Sequence, residues 1–112
     1  MKHVLFKVVE GKHNDWKSWC EFLCDRQQEA EETMREENCV YERSVIFERD
    51  GDHYMVGSCL YYGEPKKANL NIELNVKHQN AKNDCLSKAI SIFEGEFLIP
   101  PTHEVLYEFD LR

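Results

Sequence analysis

The sequence is short of most features that would announce a chemistry. It has no Gly-rich phosphate loop and no Cys-x-x-Cys knuckle, and no Ser-His-Asp arrangement can be argued from its spacing. Those gaps leave nucleotide phosphate transfer, zinc-knuckle folding and triad hydrolysis without a motif. Basic residues are also scarce, with 14 Lys and Arg against 21 Asp and Glu for a net charge of −7. A face that tracks a phosphate backbone needs the opposite balance, so nucleic acid is not an expected partner. No long apolar run exists. The N-terminal Val4-Leu5-Phe6 stretch is interrupted by Lys2, His3 and Lys7. It is too short for a signal peptide or a membrane span, so no membrane partner and a cytoplasmic location are expected.

What remains is a soluble-type composition, 42% hydrophobic and 31% charged over 112 residues. That size suits one domain, residues 1–112, with a single core. The cysteines number five, an odd count. Cys20, Cys24, Cys39, Cys59 and Cys85 all sit inside apolar or periodic segments, as reduced buried thiols do.

The hydrophobic period changes along the chain. Residues 2–9 alternate, with Val4, Phe6 and Val8 on one side. From Trp16 to about Asn38 the period is helical. Trp16, Trp19, Cys20, Leu23, Gln27, Ala30 and Met34 share one stripe, and the acidic residues opposite form a solvated face. Residues 40–49 and 53–62 alternate again around Asp50-Gly51, a hairpin signal. A second helix, capped by Asn69 or Asn71, is expected to run to about Phe93 on a Leu74, His78, Ala81, Cys85, Ala89 and Ile92 stripe. Gly95 and Pro100-Pro101 end it, residues 94–102 read as an insertion, and residues 103–111 form a last strand.

Strand, helix, hairpin, helix, strand predicts an α+β fold: a ferredoxin-like βαββαβ sandwich, four antiparallel strands with two helices on one face. The other face would carry Leu5, Ile46, Met55 or Cys59, Tyr61 and Leu106. A second copy would cover that patch, so the expected partner is the chain itself, as a homodimer through the sheet face.

The order of elements resembles the dimeric α/β-barrel superfamily of small monooxygenases, muconolactone-isomerase-like proteins and rhamnose mutarotase. The chain is more closely similar to a bacterial family of short stand-alone proteins of unknown function within it. The resemblance rests on Lys7, Gly11-Lys12, Trp16, Trp19-Cys20, Asp50-Gly51, Tyr54, Glu73-Leu74-Asn75-Val76-Lys77-His78 and Glu104-Val105-Leu106-Tyr107. It implies the fold and dimerisation, and no established activity. The first-helix histidine associated with the mutarotase branch is missing, since no His lies between residues 14 and 52.

His78 is the leading candidate for chemistry. Its stripe position turns the imidazole toward the sheet, where a group titrating near neutrality can move protons. Gln27 breaks the apolar stripe of the first helix and points to a ligand-lined region. On strand two the more apolar face should meet the helices, which places Tyr41 and Arg43 with His78, beside Trp19 and Cys20. With the opposite parity, Glu42 becomes the partner of His78 in a proton-transfer dyad. Cys20, Cys24, His78 and Cys85 could in principle supply zinc ligands, but their mid-helix spacing argues against a metal site. No cofactor is implied. The expected function is binding of a small organic ligand, with isomerase-, mutarotase- or monooxygenase-like chemistry at His78. The alternative is a non-catalytic binding or interaction protein of the same fold.

Overall fold

A computed structural model describes all 112 residues. The elements run β1 (Lys2–Val8), α1 (His13–Asp25), α2 (Gln27–Glu36), β2 (Cys39–Arg49), β3 (Asp52–Tyr61), α3 (Glu73–Cys85), β4 (Leu86–Glu94) and β5 (Glu104–Asp110). The strands form one antiparallel sheet in the order β4-β1-β3-β2-β5. The fold is therefore α+β, with five strands and three helices. This corrects the expected four-stranded, two-helix ferredoxin-like arrangement.

Two local events cause the difference. The long first helix breaks at Arg26, whose backbone (φ −115°, ψ 31°) leaves the helical region. The second helix stops at Cys85, and Leu86 is already extended (φ −115°, ψ 140°). No glycine or proline marks that change. The β-branched Ile90 and Ile92 favour the strand that follows.

The β2–β3 hairpin turns at Asp50 and Gly51, both at positive φ (54° and 84°). A two-residue turn with both central residues in that region matches the right-handed twist of its strands, and Asp-Gly suits it. Asn38, at φ 61°, closes α2 in the left-handed conformation before β2 begins.

The helices cover one face. Trp16, Cys20 and Leu23 from α1, Ala30 and Met34 from α2, and Leu74 and Cys85 from α3 pack on Val8, Ile46, Met55, Tyr107 and Phe109. The opposite face is covered from within the chain. β4 and β5 lie on opposite edges, four strand spacings apart, about 19 Å at ~4.8 Å each. Residues 95–103 make that crossing as a strap. Their start is pinned on the face away from the helices: His3 Nε2 donates to the Gly95 carbonyl at 2.8 Å, and its ring packs on Phe93 and Phe97. On this same face His3, Val45, Val56 and Ser58 are all 3% exposed or less. Residues 94–102 are thus the structural link that the added strand requires. Of the residues expected to form an open sheet face, Ile46 and Met55 instead lie in the core beneath the helices, so they form no open patch for a sheet-to-sheet dimer.

Candidate functional site

Pairing fixes which side chains of β2 meet the helices. Ile46 joins the helix-side core, and Ser44 Oγ accepts a hydrogen bond from Trp16 Nε1 at 3.2 Å. Glu42 has the same parity, opposite Cys59 on β3 and Phe109 on β5. The expectation that Tyr41 shares a face with His78 is therefore corrected, whereas Arg43 still borders the cavity that His78 lines. Tyr41 points to the strap side, where its hydroxyl bonds the Glu108 carboxylate. Arg43 has the parity of Tyr41, and its Nε is buried with no partner. The parity rule failed for a physical reason: the face of Tyr41, Val45 and Phe47 is covered too, Val45 being fully buried and the Tyr41 ring lying under the Arg112 guanidinium. The helix side keeps polar residues because it borders a cavity.

That cavity measures about 420 Å³ and lies between the sheet and the helices. Its sheet wall includes Glu42, Met55, Cys59, Tyr61 and Tyr107; its helix wall includes Met34, Glu37, His78 and Lys82. The volume falls within the range of small-molecule sites, and the lining mixes apolar surface with a few convergent polar groups.

His78 is held in one orientation. Trp19 Nε1 donates to its Nδ1 at 2.8 Å, and the rings of Trp16 and Trp19 lie 6.2 and 5.7 Å away. An indole N–H can only donate, so Nδ1 carries no proton and the neutral ring holds its hydrogen on Nε2. Burial, with a smaller contribution from Lys82, lowers the imidazole from 6.5 to about 4. Near neutral pH the residue is thus an uncharged donor, and the hydrogen bond its ring makes within the protein is the one at Nδ1.

Glu42 accepts a hydrogen bond from the Tyr107 hydroxyl at 2.9 Å. Burial pushes its carboxyl up, while the Tyr107 bond and Lys82 pull it back. Tyr107, buried and next to Glu42, is held well above the usual phenol value and stays a donor. Glu37 is raised from 4.5 to about 7, first by burial and then by the charge of Glu42. One cavity therefore holds a neutral N–H donor and two carboxyls moved toward neutrality. Those are the components of acid–base work near pH 7.

The remaining expected residues separate. Trp19 acts on the site by orienting His78. Gln27 is exposed at the start of α2 and bonds Glu31 at 3.2 Å, because the break at Arg26 takes it off the α1 stripe. Cys20 is fully buried against Ser44 and pushed up to about 12 by burial, so its thiol packs as a core group. No group of three or more His, Cys, Asp or Glu is placed to hold a metal ion.

Glu37, Lys82 and the role of Tyr107 escaped the sequence reading. Glu37 sits at the end of an acidic run taken as solvated face, and Tyr107 in an apolar strand. Lys82 had a usable signal, four residues after His78 on the same helix face.

The model of a family described as a family of unknown function (DUF6176) matches residues 1–105. No curated protein matches the chain, and no solved structure does.

Proposed function

The chain belongs to this family of unknown function, so the cavity must supply the reading, and we propose that it binds a small organic molecule and moves a proton on it. The observation that supports this most is the pairing of groups on one wall-to-wall space. His78 presents Nε2–H with its other nitrogen fixed by Trp19. Glu42 presents a carboxylate steadied by Tyr107.

The chemistry that suits them is proton shuttling next to a carbonyl, the core step of many isomerisations. The Glu42 carboxylate takes a proton from the carbon beside the carbonyl, and the C–H electron pair passes into the enolate. The enolate oxygen accepts a hydrogen bond from His78 Nε2–H, which stays neutral throughout. Where the substrate has a double bond between its β- and γ-carbons, Glu42 then gives the proton to the γ-carbon of the dienolate, the double bond moves into conjugation with the re-formed carbonyl, and the carboxylate is regenerated. A carboxyl raised toward neutrality is a stronger base than a solvated one, and a neutral imidazole donates without a charge to desolvate.

A thermal-shift screen of small carbonyl compounds against wild type, His78→Ala and Glu42→Gln tests the reading. Stabilisation of wild type by at least one compound is expected, weakened in His78→Ala. Glu42→Gln should still bind but should no longer exchange the carbon-bound hydrogen of that compound with deuterated solvent. Absence of any stabilising compound would overturn the proposal.

We keep the homodimer as a separate proposal with a different surface. β4 is an edge strand, and its Ile90 and Ile92 are 56% and 63% exposed. Edge-to-edge pairing of two β4 strands would cover both the side chains and the unpaired backbone groups. Light scattering of wild type and an Ile90→Lys/Ile92→Lys variant checks it; a monomeric wild type would remove it.

A further inference from the structure

The middle of the central strand is bare. β3 lies between β1 and β2 at the centre of the sheet, and Gly57 sits halfway along it, paired with Val4 on one side and Ser44 on the other. It has the parity of Met55, so its missing side chain would point toward the helices. A glycine inside a strand gives up packing and costs conformational entropy, so such a position has a cause.

Three ordinary causes are absent at Gly57. Gly11, Gly51, Gly63 and Gly95 have positive φ, and Gly57 does not. Both of its ladders keep their register through it, so it forms no bulge. No other segment presses on it, since a Cβ there would meet only Sδ and Cε of Met55, both at 3.8 Å. That is ordinary contact with the end of a flexible chain.

The cavity remains. Gly57 lines it, and stays half-buried while its neighbours Val56 and Ser58 are 2% and 1% exposed. Met55 and Cys59 border the same space along the strand. Trp16, whose indole bonds Ser44, borders it across the strands. Glu42 pairs with Cys59, which makes it a diagonal neighbour of Gly57 on this face. Such neighbours stand about 7–8 Å apart. A molecule whose reacting carbons lie at Glu42 therefore reaches the bare backbone only with a body of similar length. A ring supplies that body with fewer rotors to freeze than an open chain.

We propose that Gly57 is the specificity-determining residue of the site, left bare so that a ring of the ligand lies on the β3 backbone while its carbonyl is held at His78 and Glu42. This rests on the reading that the cavity acts on a carbonyl compound, and it fixes the build of that compound: a ring-bearing ketone rather than a short open-chain one.

Two ketones, 2-tetralone and 3-pentanone, serve as probes in NMR titrations of the backbone amides of wild type, Gly57→Ala and Gly57→Val. Wild type should bind the ring ketone roughly tenfold tighter than the open-chain one. Gly57→Val, whose methyl groups fill the bare floor, should remove most of that preference and leave binding of 3-pentanone as it was. Gly57→Ala should fall between, and it reads the same preference if valine disturbs the packing. Gly57→Ala should also raise the thermal midpoint by about 2–5 °C, because the added methyl meets no strained contact and a strand glycine is lost. A lowered midpoint in Gly57→Ala would mean that the glycine serves the fold, and would overturn the assignment. A ring preference that survives both substitutions, or an equal loss for both ketones, would overturn it while leaving a ligand site. Binding of neither ketone by wild type would overturn the assignment and the ligand site together.

Discussion

Titration of His78 is the perturbation whose size follows most directly from the structure. The folded chain holds the ring neutral down to about pH 4, against 6.5 for the free side chain. At ~1.4 kcal/mol per unit this separation is worth about 3 kcal/mol. The unfolded chain takes up the proton first, below pH 6.5, and the folded chain follows only near 4. Folding is therefore opposed progressively as pH falls through that window, and the full loss is reached below about 4. Removing the Trp19 donor with Trp19→Phe takes away a bond that exists only to neutral Nδ1. A neutral hydrogen bond of ~1 kcal/mol corresponds to an upward shift of about 0.7 unit, while the larger effect of burial stays. Carbon-bound ring protons followed by NMR from pH 8 to 3 give both values, and long-range nitrogen correlations give the tautomer. The expected outcome is a wild-type ring still neutral at pH 5.5 and protonated on Nε2, with Trp19→Phe titrating at a higher pH. A wild-type ring that titrates near 6.5, or one that carries its hydrogen on Nδ1, would refute the reasoning.

Other consequences concern the carboxyls and the strap. Glu37 shifts the opposite way, from 4.5 to about 7, so its contribution to stability falls as pH rises through that window; Glu37→Gln should steepen the overall gain in stability between pH 5 and 7, read by urea denaturation. Tyr107→Phe strips Glu42 of its hydroxyl donor inside the cavity and should cost about 2 kcal/mol at pH 7 in the same assay. Phe97→Ala removes the strap ring that packs edge-on against His3 at 4.7 Å; a loss of about 2 kcal/mol and faster hydrogen exchange in β1 are expected. An unchanged stability there would mean that the strap does not hold the face it crosses.

Period and turn chemistry made part of this fold legible. Alternation located β1, β2, β3 and β5, and Asp50-Gly51 located the hairpin, because a half-buried strand and a two-residue turn leave strong local patterns. The changes without punctuation were not legible. Arg26 interrupts a helix with no glycine or proline beside it. Cys85, Ala89 and Ile92 keep a helical spacing across the boundary between α3 and β4. An edge strand with mostly exposed residues has no buried face to impress period two on its sequence. His78 was found because an imidazole on an apolar stripe is conspicuous. Its partner was misplaced because face assignment assumed that the helices cover the most apolar side of the sheet. Cover on the other face, from the strap at His3 and from Arg112 at Tyr41, reversed that assumption for Tyr41 and Glu42.

The central claim is that His78 and Glu42 face one ligand space between sheet and helices. A high-resolution crystal structure tests it most directly. The account predicts electron density for water or a bound molecule within hydrogen-bonding distance of both His78 Nε2 and the Glu42 carboxyl. Glu42 turned to the strap side, or side chains closed tightly around the imidazole, would contradict it.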